Sequence, residues 1–548
     1  MATSHRSAVQ GGGEPGTVTG PATPMTHRQI MKALTGLLLG MFVAVLSSTI
    51  VTNALPQIIS ELGGGQTAYT WVITSTLLTM TVSTPLWGKL ADLFSKKLLV
   101  QLALVIFVLA SAGAGLAPDA GTLIAFRAVQ GLGMGGLAAL AQVVIAAMIA
   151  PRERGRYSGY LGSVFAVATV GGPLLGGIIT DTPWLGWRWC FYVGVPFAVV
   201  ALIVLQKTLD LPVVKRRVRI DWTGAFFIAA AASLLLIWVS LAGSVFDWLS
   251  WTSVLLIGGA LLSALVFLVV ESRAAEPVMP LRLFRNRTIL FTSLASLFVG
   301  VGMFSSTVFL SQYFQLAHYK SPTMSGVLTI PLVTAMFVAM TGSGILITRT
   351  GRWKIWLLSG GALITGGLGM LGMLRSDTPY WYTALGMTAL GLGLGMLMQN
   401  LVLAAQNQAE DGDLGVTSSV VTFFRSLGGA IGVSVLGAAL GHRIAAYSRE
   451  GMAALGVPAN SGGGDAIPDL STLPAPVRAV VENAYGHGIG DIYLYAAPFA
   501  LLALVMIICV KEVPLRTALP PVRAHAAESV PGPGPREEKA VSGTAAGR

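Results

Sequence analysis

GKLADLFSKK, Gly88 to Lys97, stands between two long apolar runs, and 256 residues later GILITRTGRW, Gly344 to Trp353, stands between two others. VGGPLL from Val170 is echoed by LGGAI from Leu427 at an offset of 257. LSSTIVTNALP, Leu46 to Pro56, is echoed by FSSTVFLSQYF, Phe304 to Phe314, at 258. Three echoes at nearly one offset predict two related halves. Parallel halves of this kind place a substrate site near the membrane midplane, at their interface.

The composition requires a membrane. With 54% hydrophobic and 11% charged residues in a chain of 548, the apolar surface exceeds what a water-soluble core can hide. Segments long enough to span number about fourteen. They run near 32–54, 69–91, 97–117, 120–149, 156–180, 188–208, 222–242, 250–271, 288–316, 322–347, 353–374, 380–406, 415–441 and 489–510. The expected architecture is an all-α integral membrane protein arranged 6+2+6. It comprises a tail 1–31, a half 32–210, two inserted helices 211–275, a second half 276–511 and a tail 512–548. Both tails read as disordered, and a loop at about 443–488, rich in Gly, Ala and Pro, reads as flexible or as a small cap.

The net charge of +11 sits largely in alternate loops, at Lys96 and Lys97, Arg152 to Arg156, Lys215 to Arg219, Arg282 to Arg287 and Arg349 to Lys354. That asymmetry sets topology, with both termini cytoplasmic, and is no nucleic-acid surface. Cys190 and Cys509 lie in apolar segments without metal-like spacing, and the six His residues are scattered. Neither a nucleophile with a nearby base nor a GxxxxGK[ST] loop is present, so the chain reads as no enzyme, with no metal and no cofactor. Gly131 to Gly136 contain GxGxxG inside a membrane helix with no preceding strand, which suits helix packing and not a dinucleotide.

Positions four apart share a helix face, so Thr49, Asn53 and Gln57 form a polar stripe, and Thr307, Ser311 and Gln315 form its counterpart. Ser47, Ser48, Ser305, Ser306 and Gln312 are neighbours. The stripes either line the substrate pathway with hydrogen-bonding groups or join helices to one another. Arg127, with Gln130 near it, and Arg425 lie inside helices, where a guanidinium is expensive and is a functional candidate by default. Asp92, after Gly88 and beside Lys96 and Lys97, is placed to meet helix N-terminal amides or a basic group and to latch one state.

GKLADLFSKK, RAVQGLGMGG (Arg127 to Gly136), GGPLLGG (Gly171 to Gly177) and the run from Gln406 to Gly432 together resemble the major facilitator superfamily, specifically its fourteen-helix drug:proton antiporters. Leu93 and Ser95 replace the usual Arg and Gly of the first motif. The resemblance implies a multidrug efflux transporter of the plasma membrane, driven by the proton gradient and monomeric, acting on small molecules. It implies a gate at Gly88 and Asp92 and coupling through Arg127 and Gln130. For Gly172, Pro173, Gly176 and Gly177, the antiporter motif, it implies close helix packing with a bend at the proline. Many relatives carry Asp where this chain has Ser47, so that acid's coupling role does not transfer.

No Asp or Glu falls in the central part of any expected helix, which predicts neutral or anionic amphipathic substrates. It also predicts a proton carrier nearer the rim, with Asp92 first, then Glu61, Asp181 and His318. An uncoupled facilitator, an exporter of organic anions or lipids, and a membrane receptor or scaffold are the rival readings.

Overall fold

The computed structural model describes residues 27–516 apart from 64–65, 150, 183–184, 210–220, 244, 275–276, 411–412 and 456–473. The expected tails and the centre of the 443–488 loop therefore lie largely outside the described residues, and the 211–220 stretch wholly so.

The first half holds α1 (His27–Glu61), α2 (Gln66–Leu93), α3 (Lys96–Gly115), α4 (Ala120–Met148), α5 (Pro151–Asp181), α6 (Trp189–Tyr192) and α7 (Gly194–Thr208). An inserted pair follows, α8 (Trp222–Leu241) and α9 (Trp251–Arg273). The second half holds α10 (Arg287–Gln312), α11 (Pro322–Leu328), α12 (Ile330–Thr350), α13 (Lys354–Leu371), α14 (Tyr380–Gln408), α15 (Leu414–Ala454) and α16 (Ala475–Cys509). A π-helical turn, Tyr313–Ala317, continues α10, and a 3-10 turn, Leu281–Arg285, precedes it.

Short polar residues start these helices by accepting first-turn amides. Asp119 accepts from Thr122 N at 2.8 Å, Asp221 from Gly224 N at 2.9 Å and Asn286 from Thr288 N at 2.9 Å. Ser95, which replaces the family's usual Gly, is the N-cap of α3. Gly351, at φ +73°, ends α12 in the left-handed conformation that glycine adopts without steric penalty.

Among the described residues, thirteen helices are long and apolar enough to cross a membrane, one fewer than expected. The exception is α2, long enough at 28 residues but loaded with Ser and Thr. Their hydroxyls are absorbed locally: Thr79, Thr81 and Thr84 bond carbonyls one turn back, and Thr76 also reaches Arg127 O on α4 at 3.2 Å. Polar composition and a spanning position are compatible when the polar groups are satisfied this way.

In the first half α2 packs on α4 and α1 on α5; in the second α10 packs on α15 and α12 on α14. The halves meet where α2 lies along α15 and α5 along α12. The inserted α8 touches both α2 and α15, and Ile228 and Phe267 share an apolar cluster with Val416, Val420 and Phe423. Outward faces stay apolar, with Leu98, Leu102, Val105 and Leu109 of α3 exposed, the composition that a lipid-facing surface requires.

The loop expected at 443–488 is mostly helical where it is described, as extensions of the end of α15 and the start of α16. Arg443, Arg449 and Glu450 break the apolar run that defines a span, yet they do not break a helix. Tyr447 Oη donates to Asp491 at 2.8 Å, and Arg443 pairs with the same carboxylate at 3.4 Å, holding the extensions together.

Candidate functional site

The described basic loops, at Lys96 and Lys97, Arg282 to Arg287 and Arg349 to Lys354, follow alternate helices and mark one end of the bundle, called here the basic end; the polar contacts between the halves described below are built there. Gly88 and Asp92 are four apart and share a face of α2. That face meets the start of α15. A Cβ on Gly88 would collide with the Ser419 side chain, so the two backbones approach as only glycine allows. One turn on, the Asp92 carboxylate accepts from Gly415 N at 3.1 Å and Val416 N at 3.0 Å. These are first-turn amides with no partner inside α15, at the positive end of its dipole. The motif's spacing thus produces one close approach and one charge-assisted contact across the halves, called here the latch.

Behind the latch, Gln142 of α4 and Gln399 of α14 exchange side-chain amide bonds of 3.1 and 2.9 Å. The two residues are 257 apart, the repeat offset itself, so the pair is self-complementary about the pseudo-two-fold axis. Arg154, 2% exposed, donates to Ala146 O and Ile149 O at the end of α4 and to Gln406 Oε1 of α14 at 2.5 Å. Gln406 in turn donates to Ser418 Oγ of α15 at 2.6 Å. At the edge, Arg282 reaches Asp413 at 2.8 Å and Glu410 at 3.3 Å. Burial pushes the Asp413 carboxyl above the usual carboxylate range, and the Arg282 guanidinium works against that shift.

The structure brings Arg127 and Gln130 together, at 2.5 Å, and Gln130 donates to Ser111 Oγ of α3 at 2.7 Å. Arg127 is 2% exposed, and its Nε has no partner among the described residues. Arg425 is separate from them, donating to Met398 O within the second half at 3.1 Å. Of the residues flanking the latch, Lys96 acts electrostatically on Asp92, whereas Lys97 donates to Gln206 O of α7 at 2.8 Å.

The two polar stripes do not behave alike. Thr49 packs into Gly172 of α5 and donates to helix carbonyls, with Ala168 O at 3.2 Å, and Ser47 is buried against Gly194 of α7. Both sit in packing inside the first half, while Ser48 and Asn53 are half-buried. In the second copy Thr307 is exposed, Ser305 and Ser306 are buried and Gln312 is half-buried. Gln315 donates to Ser311 Oγ at 2.8 Å across the π-helical turn. A shared face read from spacing does not say which neighbour it meets, and here the neighbours differ.

Gly176 lies against Ile50 of α1, and Gly177 meets Thr323 of α11, so the antiporter motif touches both its own half and the other one. The side chains of Gln57, Pro173 and Asp181 lie outside the described residues; α5 runs on through position 173 as helix. His318 is half-buried, edge-to-face with Tyr313 at a ring-centroid distance of 4.9 Å, and Glu61 is exposed at the end of α1. Among the described residues no group of His, Cys, Asp and Glu suits a metal ion.

Sequence reasoning missed Gln142, Gln399, Arg154, Gln406 and Ser418. A signal for the first two was present, since they are polar residues inside helices separated by the repeat offset. Nothing comparable marked Arg154, which reads as a loop charge.

Similarity to known proteins agrees with this geometry. The sequence model of the Major Facilitator Superfamily matches residues 37–433. The chain is 34% identical over 496 residues to the uncharacterized MFS-type transporter Rv1877 of Mycobacterium tuberculosis, covering 90% of this chain and 71% of that one. It is 35% identical over 410 residues to the multidrug transporter protein MdtP of Bacillus subtilis, covering 75% of each. The fold resembles the crystal structure of the human organic anion transporter MFSD10 with a TM-score of 0.58 at 14% identity, over 87% of this chain and 99% of that one. The paired halves, the latch between them and these similarities make the chain a multi-pass membrane transporter of small molecules, not an enzyme, and it belongs to the Major Facilitator Superfamily.

Proposed function

We propose that the protein exports small amphipathic or hydrophobic compounds across the plasma membrane by alternating access, in exchange for protons, as a monomer with both termini cytoplasmic. On this reading it is a drug:proton antiporter of the fourteen-helix type. The observation that carries it is the seam at the basic end. Asp92 on the α15 amides and the Gln142–Gln399 pair join the halves through a few polar contacts. Such contacts re-form with water when they part, so the seam can open and close without exposing a large apolar face.

The multidrug transporter name of MdtP supports the substrate class, and the positive-inside pattern supports the orientation. Neutral or anionic compounds are favoured over lipophilic cations, because Arg127, buried on α4, and Arg425, half-buried on α15, are cationic. A second reading, an uncoupled facilitator or an exporter of organic anions or lipids, draws on Ser47. Its hydroxyl faces Gly194 where many relatives carry an acid, and it supplies no titratable group.

The test is transport by purified protein in liposomes loaded with a pH dye, acidic inside, challenged in turn with a cationic, a neutral and an anionic drug. Proton efflux triggered by the neutral or anionic drug and absent from empty liposomes is expected. Substrate counterflow without proton movement would replace antiport by facilitation.

A further inference from the structure

The mechanism above leaves one pair of acids unused. Glu271 stands in the last turn of α9 and is 3% exposed, and Asp221 caps the start of α8. One oxygen of each carboxyl is engaged by backbone: Asp221 Oδ1 accepts from Gly224 N at 2.9 Å and Glu271 Oε1 from Met279 N. The other two, Asp221 Oδ2 and Glu271 Oε2, are buried without a hydrogen-bond partner among the described residues. Both converge on one place, for a Cβ added to Gly224 would stand 2.5 Å from Asp221 Oδ2 and 2.8 Å from Glu271 Oε2. Glycine at 224 leaves room for the two oxygens to face each other.

Two carboxylate oxygens brought together away from water repel, and among the described residues neither finds the donor it would have in solution. One proton held by the pair removes the repulsion and turns one of the two oxygens into a donor. A metal cation is a poorer occupant, since the buried ammonium of Lys89, 6% exposed on α2, already acts on Glu271. Among the described residues, the charged group of a neighbouring element that acts on the pair is Lys89 from α2. Asp413, before α15, also interacts with Lys89 and is itself paired with Arg282.

We propose that Asp221 and Glu271 form a proton-binding carboxyl pair that carries the exchanged proton while the basic end is closed and releases it when that end opens. The inference rests on the antiport reading and locates its carrier on the inserted helices, away from the half-forming helices where the sequence places candidates. The pair lies beside the seam: α8 touches α2 and α15, and Lys89 adjoins Gly88, which packs on Ser419. Separation of α2 from α15 admits water to the pair. The O–H bond of the bound proton then breaks, its electron pair stays on the carboxylate oxygen, and water takes the proton to the basic side. Hydration removes the penalty on the second negative charge.

The test uses the full chain in liposomes, reading drug-triggered proton flux and drug counterflow from the same preparations of wild type, Glu271→Gln and Asp221→Asn. Glu271→Gln keeps a donor and an acceptor in place but cannot ionise. The expected result is retained counterflow with proton flux reduced to that of empty liposomes. Proton flux in Glu271→Gln equal to wild type would overturn the site and leave antiport standing. Absence of proton flux in the wild type would overturn antiport and, with it, the site. Should both variants lose counterflow as well, pH-difference infrared spectra of the wild type decide. A protonated-carboxyl band that shifts on drug addition supports the pair, and its absence overturns the assignment.

Discussion

Asp92 and Glu512 each present a carboxylate to the free amides at the start of a helix. Asp92 accepts from Gly415 and Val416 across the two halves, and Glu512 accepts from Trp353 at 3.1 Å and Lys354 at 3.2 Å within the second half. The chemistry is the same, an acid satisfying amides that a helix cannot bond itself. Their settings differ. Around Glu512 the contact is reinforced by neighbours of the same half: Trp353 Nε1 donates to Val513 O at 2.9 Å, and Asn407 bonds both Pro514 O and Arg516 N. Around Asp92 the reinforcement comes from bonds that also cross the seam, Gln142 to Gln399 and Arg154 to Gln406. A carboxylate at a helix N-terminus is therefore a clamp or a latch according to whether its two elements move together.

The largest effect is expected from Asp92→Ala, which removes two charge-assisted bonds. At about 2–3 kcal/mol, the ratio of open to closed at the basic end rises by roughly 30- to 150-fold. Drug export falls with it, while folding, read by thermal melting, changes little. An unchanged open population measured between labels on α2 and α15 would break the distinction between latch and clamp.

Gly88→Ala comes next, because its Cβ overlaps the Ser419 side chain. A penalty of about 1–3 kcal/mol falls on the closed state alone. The compensating pair Gly88→Ala with Ser419→Gly should recover export, and failure to recover would mean that the approach of Gly88 to α15 is not what closes the seam.

The Gln142–Gln399 pair gives a smaller and differently shaped signal. Either Gln→Leu change strands a buried amide at about 1–3 kcal/mol, whereas the double change removes both and is nearly neutral. A double-mutant cycle on the open-to-closed ratio checks this; additive single effects would show that the two amides are not a pair in the working protein.

Smallest for gating is Glu512→Gln. It weakens the clamp by about 1 kcal/mol, lowering the melting temperature without shifting the open population. A shift as large as that from Asp92→Ala would erase the contrast.

How far the sequence foretold this site depends on what each contact is made of. The repeat and the Gly88-to-Asp92 spacing are written in side chains, and both the architecture and the position of the latch could be read from them. What Asp92 meets is a pair of backbone amides, which no residue type announces. The stripes at Thr49 and Thr307 were legible as faces but not as contacts, because Thr49 packs into Gly172 whereas Thr307 stays exposed. Glu271 stands at the end of an apolar run and nothing in the sequence marks it as buried, since the packing of α9 on α8 and of α8 on α2 is a tertiary fact.

Whether Asp92 on the α15 amides holds the basic end shut is read most directly from the distance distribution between spin labels at Phe94 and Glu410. Both positions are exposed, and the labels are carried by a chain freed of Cys190 and Cys509 and placed in lipid nanodiscs. A single short distance in the wild type and an added longer population in Asp92→Asn is the predicted result. Identical distributions in the two proteins would contradict it.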